Sequence, residues 1–104
     1  MNEEESFFTD TQKENFLKEE NFDSYIEKMN NFITTFDEDE GKENKVTFKA
    51  VASNLDWSLE DDVKAFANHC KKQNLNDSEE IIAFLYYQYN ENKDKWETIL
   101  EKMN

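Results

Sequence analysis

The chain has 104 residues, with 25 acidic side chains against 12 cationic ones, all of them lysine, and a formal net charge of −13. That length makes one domain and buries roughly 65% of the unfolded surface, enough for a real core. The charge and the missing guanidinium fork exclude direct nucleic-acid binding, because phosphates would be repelled.

One His and one Cys exclude a disulfide framework and a four-ligand structural zinc site. No apolar run approaches the ~18 residues of a membrane span, and the first six residues are polar and acidic with no basic leader. A reduced, cytoplasmic setting is therefore expected. At 37% hydrophobic and 36% charged the composition leans toward disorder, but nine Phe, four Tyr and two Trp require an interior. With no Pro and one Gly, the prediction is a single acidic helical domain over residues 1–104, frayed across 1–8.

Phe7-Phe8 want burial or a partner. Thr11-x-x-Glu14 has the capping-box pattern, with Phe16-Leu17 at helical positions, and predicts a first helix over Thr11 to Glu20. Asn21 and Asp23 punctuate it. Ser24-x-x-Glu27 repeats the box, and Tyr25, Ile26, Met29, Ile33 and Phe36 form one helical stripe with Phe32 at its edge. Asp37 to Asn44, holding the lone Gly41, predicts a loop. Val46-Thr47-Phe48 reads as a short strand or, with Thr47 as cap, as the start of a third helix carrying Phe48, Val51, Ala52 and Leu55. The helix is preferred.

Asp56-Trp57-Ser58 breaks that helix. Ser58 then caps a fourth, with Leu59, Val63, Phe66, Ala67 and Cys70 on its inner face and Glu60-Asp61-Asp62 complementing its dipole. Gln73 to Asp77 is a turn. Ser78 opens a fifth helix with Ile81, Ile82, Leu85 and Tyr89 inward, and Phe84, Tyr86 and Tyr87 spread apolar surface around it. Asn90 to Asp94 either breaks this helix or continues it. Trp96, Ile99, Leu100 and Met103 form a last stripe. The fold class is all-α, a compact bundle or orthogonal array of five to six short helices.

Chemical motifs are few. The acidic run from Asp37 has glycine one place too early for a calcium loop, and its twelfth position is Phe48 instead of Glu. Lys49 to Val63 resembles a helix-turn-helix over about fifteen residues, with two departures. Val63 falls one position late, and Asp56 stands where the turn usually has glycine. The would-be recognition helix opens with Glu60-Asp61-Asp62, which repels phosphate. Two helices packed in the core is the preferred reading, and any such motif here is expected to have lost DNA binding. His69 and Cys70, adjacent on a helix, point about 100° apart and make no dyad. Cys70 reads as core and His69 as surface. The expectation is a protein that is not an enzyme, with no catalytic residues, cofactor or metal.

Acids recur in every segment. Carboxylates one helical turn apart lie about 5–6 Å from each other, the same order as phosphate spacing along a strand. A helical surface can thus imitate a phosphate track. An AT-rich genome accounts for the missing arginine but less well for the acid excess. Phe7, Phe8, Tyr86, Tyr87, Trp57 and Trp96 exceed what the stripes require, and aromatic anchors inside a charged rim are the anatomy of a binding hot spot.

The functional expectation is a small acidic inhibitor that occludes a basic, nucleic-acid-binding partner such as a nuclease or CRISPR effector. Its overall character resembles that of small acidic anti-restriction and anti-CRISPR proteins of phages, which would place it in a host cytoplasm. The partner-binding residues are expected to be Asp37, Glu38, Asp39, Glu40, Glu60, Asp61, Asp62, Glu79, Glu80, Tyr86 and Tyr87. No direct nucleic-acid or membrane contact is expected. The alternative is a helical structural or regulatory module, self-associating as a homodimer through Phe84, Tyr86 and Tyr87 or bridging partners.

Overall fold

Helix α5, Ser78–Glu91, is apolar almost all the way round, and the fold follows from covering it. Ile81, Ile82, Ala83, Phe84 and Leu85 are each fully buried, a run that only a central helix can place. The computed structural model describes residues 10–44, 47–75 and 77–103. Around α5 stand α1 (Asp10–Leu17), α2 (Phe22–Asn44) and α4 (Glu60–Lys72). The short α3 (Phe48–Asn54) packs on α2, and α6 (Trp96–Lys102) follows the 3-10 turn Lys93–Lys95. These six α-helices, with no strand among the described residues, form the all-α array that the stripes predict.

Two aromatic clusters hold the helices together. Phe16 of α1 meets Tyr25 edge-on at 5.0 Å, and Tyr25 stacks on Phe84 at 5.1 Å, joining α1, α2 and α5. Phe48 of α3 stands edge-on to both Phe32 (5.5 Å) and Phe36 (5.4 Å) of α2, with Phe66 of α4 beside it at 5.8 Å. Edge-to-face pairs of this kind add about 0.5–1.5 kcal/mol each beyond area burial.

Helix ends are closed by side chains from elsewhere in the chain. The α1 carbonyl of Phe16, one of the four a helix leaves open, accepts from Gln88 Nε2 at 2.7 Å. The α3 carbonyl of Ala52 accepts from the Trp57 indole N–H at 2.8 Å, and Asn30 donates to the Lys102 carbonyl at the end of α6. Thr47 caps α3 by accepting the Ala50 N–H, as the helical reading requires.

Helix α4 ends in a Schellman motif. The Leu75 N–H reaches the Cys70 carbonyl, the Asn74 N–H reaches that of Lys71, and Asn74 takes the left-handed φ of 64° that usually calls for glycine. Leu75 and Cys70 are both buried beneath this turn, supplying its hydrophobic contact.

Several boundaries differ from expectation. The stretch Asp37 to Asn44 is no loop: α2 runs on through it to Asn44, with Gly41 inside the helix. No proline interrupts it, and one interior glycine costs only about 1 kcal/mol relative to alanine. The helix also starts early, at Phe22, because the 3-10 turn Glu19–Asn21 leads straight into it instead of breaking the chain at Asn21 and Asp23. Helix α1 begins at Asp10 and stops at Leu17, short of the expected Glu20. Ser58 does not cap α4. Its hydroxyl and N–H both donate to Asp56, leaving Leu59 at the cap position. Asn90 to Asp94 breaks the chain, since α5 ends at Glu91. Phe7-Phe8 and the frayed start lie outside the described residues, as does Val46 of the strand option, whose Thr47 is a helix cap and whose Phe48 is helical.

Candidate functional site

The expected partner-binding residues fall into separate groups. At the start of α5, Glu79 pairs with Lys71 at 3.2 Å and Glu80 with Lys28 of α2 at 3.0 Å. With Asn74, Asp77 and Ser78 these acids line an open cavity of about 620 Å³ at the α4–α5 corner. The hydrogen bond that Lys28 donates to Glu80, followed by the Glu80 charge, holds the Lys28 ammonium above its ordinary pKa. Nearby Tyr25 is also raised, by burial first and then by Glu80. Asp77 adopts a left-handed φ of 66° and makes no side-chain cap bond. Glu79 and Glu80 sit in the first turn of α5, where carboxylates complement the helix dipole.

A second group stands at the start of α4. Glu60 pairs with Lys64 one turn on at 2.8 Å, while Asp61 and Asp62 are exposed. Half-buried Tyr86 belongs here, its hydroxyl pKa raised by burial first and then by Glu60. Glu80 and Tyr86 are six residues apart on α5, about 9 Å along its axis, so the two groups are distinct.

The α2 acids form a third. Asp37 is half-buried and accepts the Phe48 N–H at 2.8 Å, so it closes the first turn of α3 across the α2–α3 junction. Glu38 is exposed, on the outer face opposite the buried stripe of Met29, Ile33 and Phe36. The side chains of Asp39 and Glu40 lie outside the described ones.

Of the surplus rings, Trp57 and Tyr87 are buried, Trp96 and Tyr86 are half-buried, and Phe7 and Phe8 lie outside the described residues. Trp57 is 1% exposed and stands edge-on to half-buried Trp96 at 5.6 Å, and Tyr89 also meets Trp96 edge-on at 5.2 Å. Tyr87 is buried, and only half-buried Tyr86 reaches the surface among the α5 rings named as anchors. Two polar residues that the stripes did not mark are structural. Buried Gln88 bonds Phe16, and Asn90 donates to the carbonyls of Trp57 (2.9 Å) and Tyr86 (2.8 Å).

The residue the sequence placed most wrongly is Leu59. It was expected on the inner face of α4, but it is 50% exposed, the one large hydrophobic side chain so exposed among the described residues. It occupies the cap position, where the chain is still extended and the 3.6-residue periodicity has not begun. Upstream in the chain, Ala50, Val51, Asn54 and Leu55 line an apolar groove of about 370 Å³ on α3. The signal available in the sequence was a leucine one place before an acidic first turn.

His69 is exposed and Cys70 fully buried, as their helical positions imply. Among the described residues no group of three or more His, Cys, Asp or Glu could hold a metal ion, and no helix is long and apolar enough to cross a membrane. The chain matches no protein-family model, no curated protein and no solved structure.

Proposed function

We propose that this protein is a non-catalytic acidic inhibitor. It docks on a basic, nucleic-acid-binding partner protein, of the nuclease or CRISPR-effector kind, and occludes the surface that would hold phosphate. The observation that carries the reading is a net charge of −13 that the fold leaves largely uncompensated. The ion pairs of Lys13, Lys28, Lys64, Lys71 and Lys95 with Glu91, Glu80, Glu60, Glu79 and Glu19 are at least partly solvent-exposed. Such pairs contribute little to stability and cancel only their own acids. Glu27, Glu38, Asp61, Asp62, Glu97 and Glu101 stand exposed without an ion pair among the described residues. A self-repelling surface of this kind speeds encounter with a cationic partner through long-range steering. The inhibitor acts in a reducing cytoplasm, where buried Cys70 stays a thiol.

Self-association through Phe84, Tyr86 and Tyr87 is the weaker reading, because Phe84 is fully buried and Tyr87 nearly so. The test is association kinetics with a basic nuclease across ionic strength. Steering predicts a rate that falls by about tenfold or more as salt screens the field, together with loss of nucleic-acid binding by the partner. An association rate indifferent to salt refutes the proposal.

A further inference from the structure

We propose that the groove on α3, together with the exposed Leu59 that follows it in the chain, is where a basic amphipathic helix of the partner docks. The inference rests on the acidic-inhibitor reading and gives it a location. Three observations converge on this end of the molecule. The groove is apolar, lined by Ala50, Val51 and Leu55, with Asn54 as its one polar wall. Leu59 follows it in the chain, four residues beyond Leu55: the Leu59 N–H closes a turn on the Asp56 carbonyl at 3.1 Å, which keeps the two ends of that turn close.

The third observation is charge. Asp56, Asp61 and Asp62 are exposed around Leu59, Glu60 is paired only to its own helix neighbour Lys64, and Lys49 is the one cation on α3. An apolar groove followed in the chain by an exposed leucine and by exposed acids on both sides of that leucine is complementary to one class of ligand. That ligand is a helix with leucine-like side chains at i, i+3 or i+4, and i+7, flanked by lysine or arginine. A second copy of this chain would bring the same anionic rim against itself, and an anionic lipid surface would be repelled in the same way.

The experiment uses the full chain labelled with 15N and an amphipathic lysine–leucine peptide of about four helical turns as the probe. Backbone signals of Ala50, Val51, Leu55, Leu59, Asp61 and Asp62 should move, and Leu59→Ser should weaken binding by about tenfold, as loss of an anchor does. Asp61→Asn with Asp62→Asn should also weaken it by several-fold. Glu27→Gln with Glu38→Gln removes the same charge from the outer face of α2 and should change affinity by less than about twofold. Melting curves verify that each variant is folded.

Equal weakening by the two double variants, or shifts spread over α2 and the α4–α5 corner, overturns the groove while leaving a basic partner in place. No binding at low salt overturns both. Concentration-dependent dimerisation abolished by Leu59→Ser would assign the surface to a second copy. Groove signals that move when residues 1–9 are deleted would assign it to the chain's own first segment. Either result overturns the proposal.

Discussion

Replacing Gln88 by leucine keeps most of the side-chain volume and removes the donor that the Phe16 carbonyl uses. Gln88 is 1% exposed and its amide lies 2.7 Å from that carbonyl, so no water takes its place without opening the interface between α1 and α5. A buried acceptor left without a donor costs about 1–3 kcal/mol. Against a total stability of about 5–15 kcal/mol for a domain of this size, that is a large fraction. Urea unfolding followed by far-UV circular dichroism reads it directly. With a slope of about 1 kcal/mol per molar urea, the midpoint falls by roughly 1–3 M and the slope stays unchanged.

Gln88→Glu sharpens the test. Burial raises the folded-state pKa of that carboxyl above its unfolded value of about 4.3, so the folded protein binds the extra proton. The deficit is therefore full at neutral pH and fades as pH falls through the raised value, because the protonated carboxyl can again donate to Phe16. A Gln88→Leu protein as stable as the parent, or a Gln88→Glu deficit that is the same at both ends of this range, refutes the capping role.

Trp57→Phe keeps one aromatic ring but loses the pyrrole half of the indole with its bond to Ala52, and thermal denaturation should report a loss of about 2–4 kcal/mol from the unmet carbonyl and the cavity together. Asn74→Gly relieves the left-handed backbone of the Schellman turn and should raise stability by up to about 1 kcal/mol, whereas Asn74→Val should lower it by about 1–2 kcal/mol. The Asp56 carboxyl is held below its ordinary pKa by the hydroxyl of Ser58 first and its N–H second. Its contribution is therefore complete above the unfolded carboxylate pKa and lost as pH falls through the depressed folded value. In Ser58→Ala a 13C carboxyl titration should show the Asp56 pKa climbing back toward its ordinary value.

The stripes were readable because buried side chains on a regular helix recur every 3.6 residues. Met29, Ile33 and Phe36, then Val63, Ala67 and Cys70, are all fully or nearly fully buried where that spacing places them. What periodicity could not reveal was non-local. Asp37 reads as loop chemistry within its own neighbourhood, yet it remains helical and serves the first N–H of α3 eleven residues on. Gln88 is a polar residue on an apolar helix, and its reason for burial lies 72 residues away at Phe16. Leu59 fits a stripe by counting but precedes the helix that would turn it inward. Of the candidate surface, the acids were visible, while their separation into three groups, the burial of Trp57 and the half-burial of Trp96 depend on how the helices cross.

Helix α1 leans on the rest through the Phe16 ring, the Gln88 amide and the exposed ion pair of Lys13 with Glu91, whereas α5 is enclosed by its neighbours. The two therefore open at different free energies. Amide protons of α1 should exchange with deuterium through local excursions in which that helix undocks, while those at the middle of α5 should wait for global unfolding. Each excursion bares Phe84 and Tyr87, the rings that Phe16 covers, so the sticky species in this strongly anionic protein is a nearly native one with its first helix undocked.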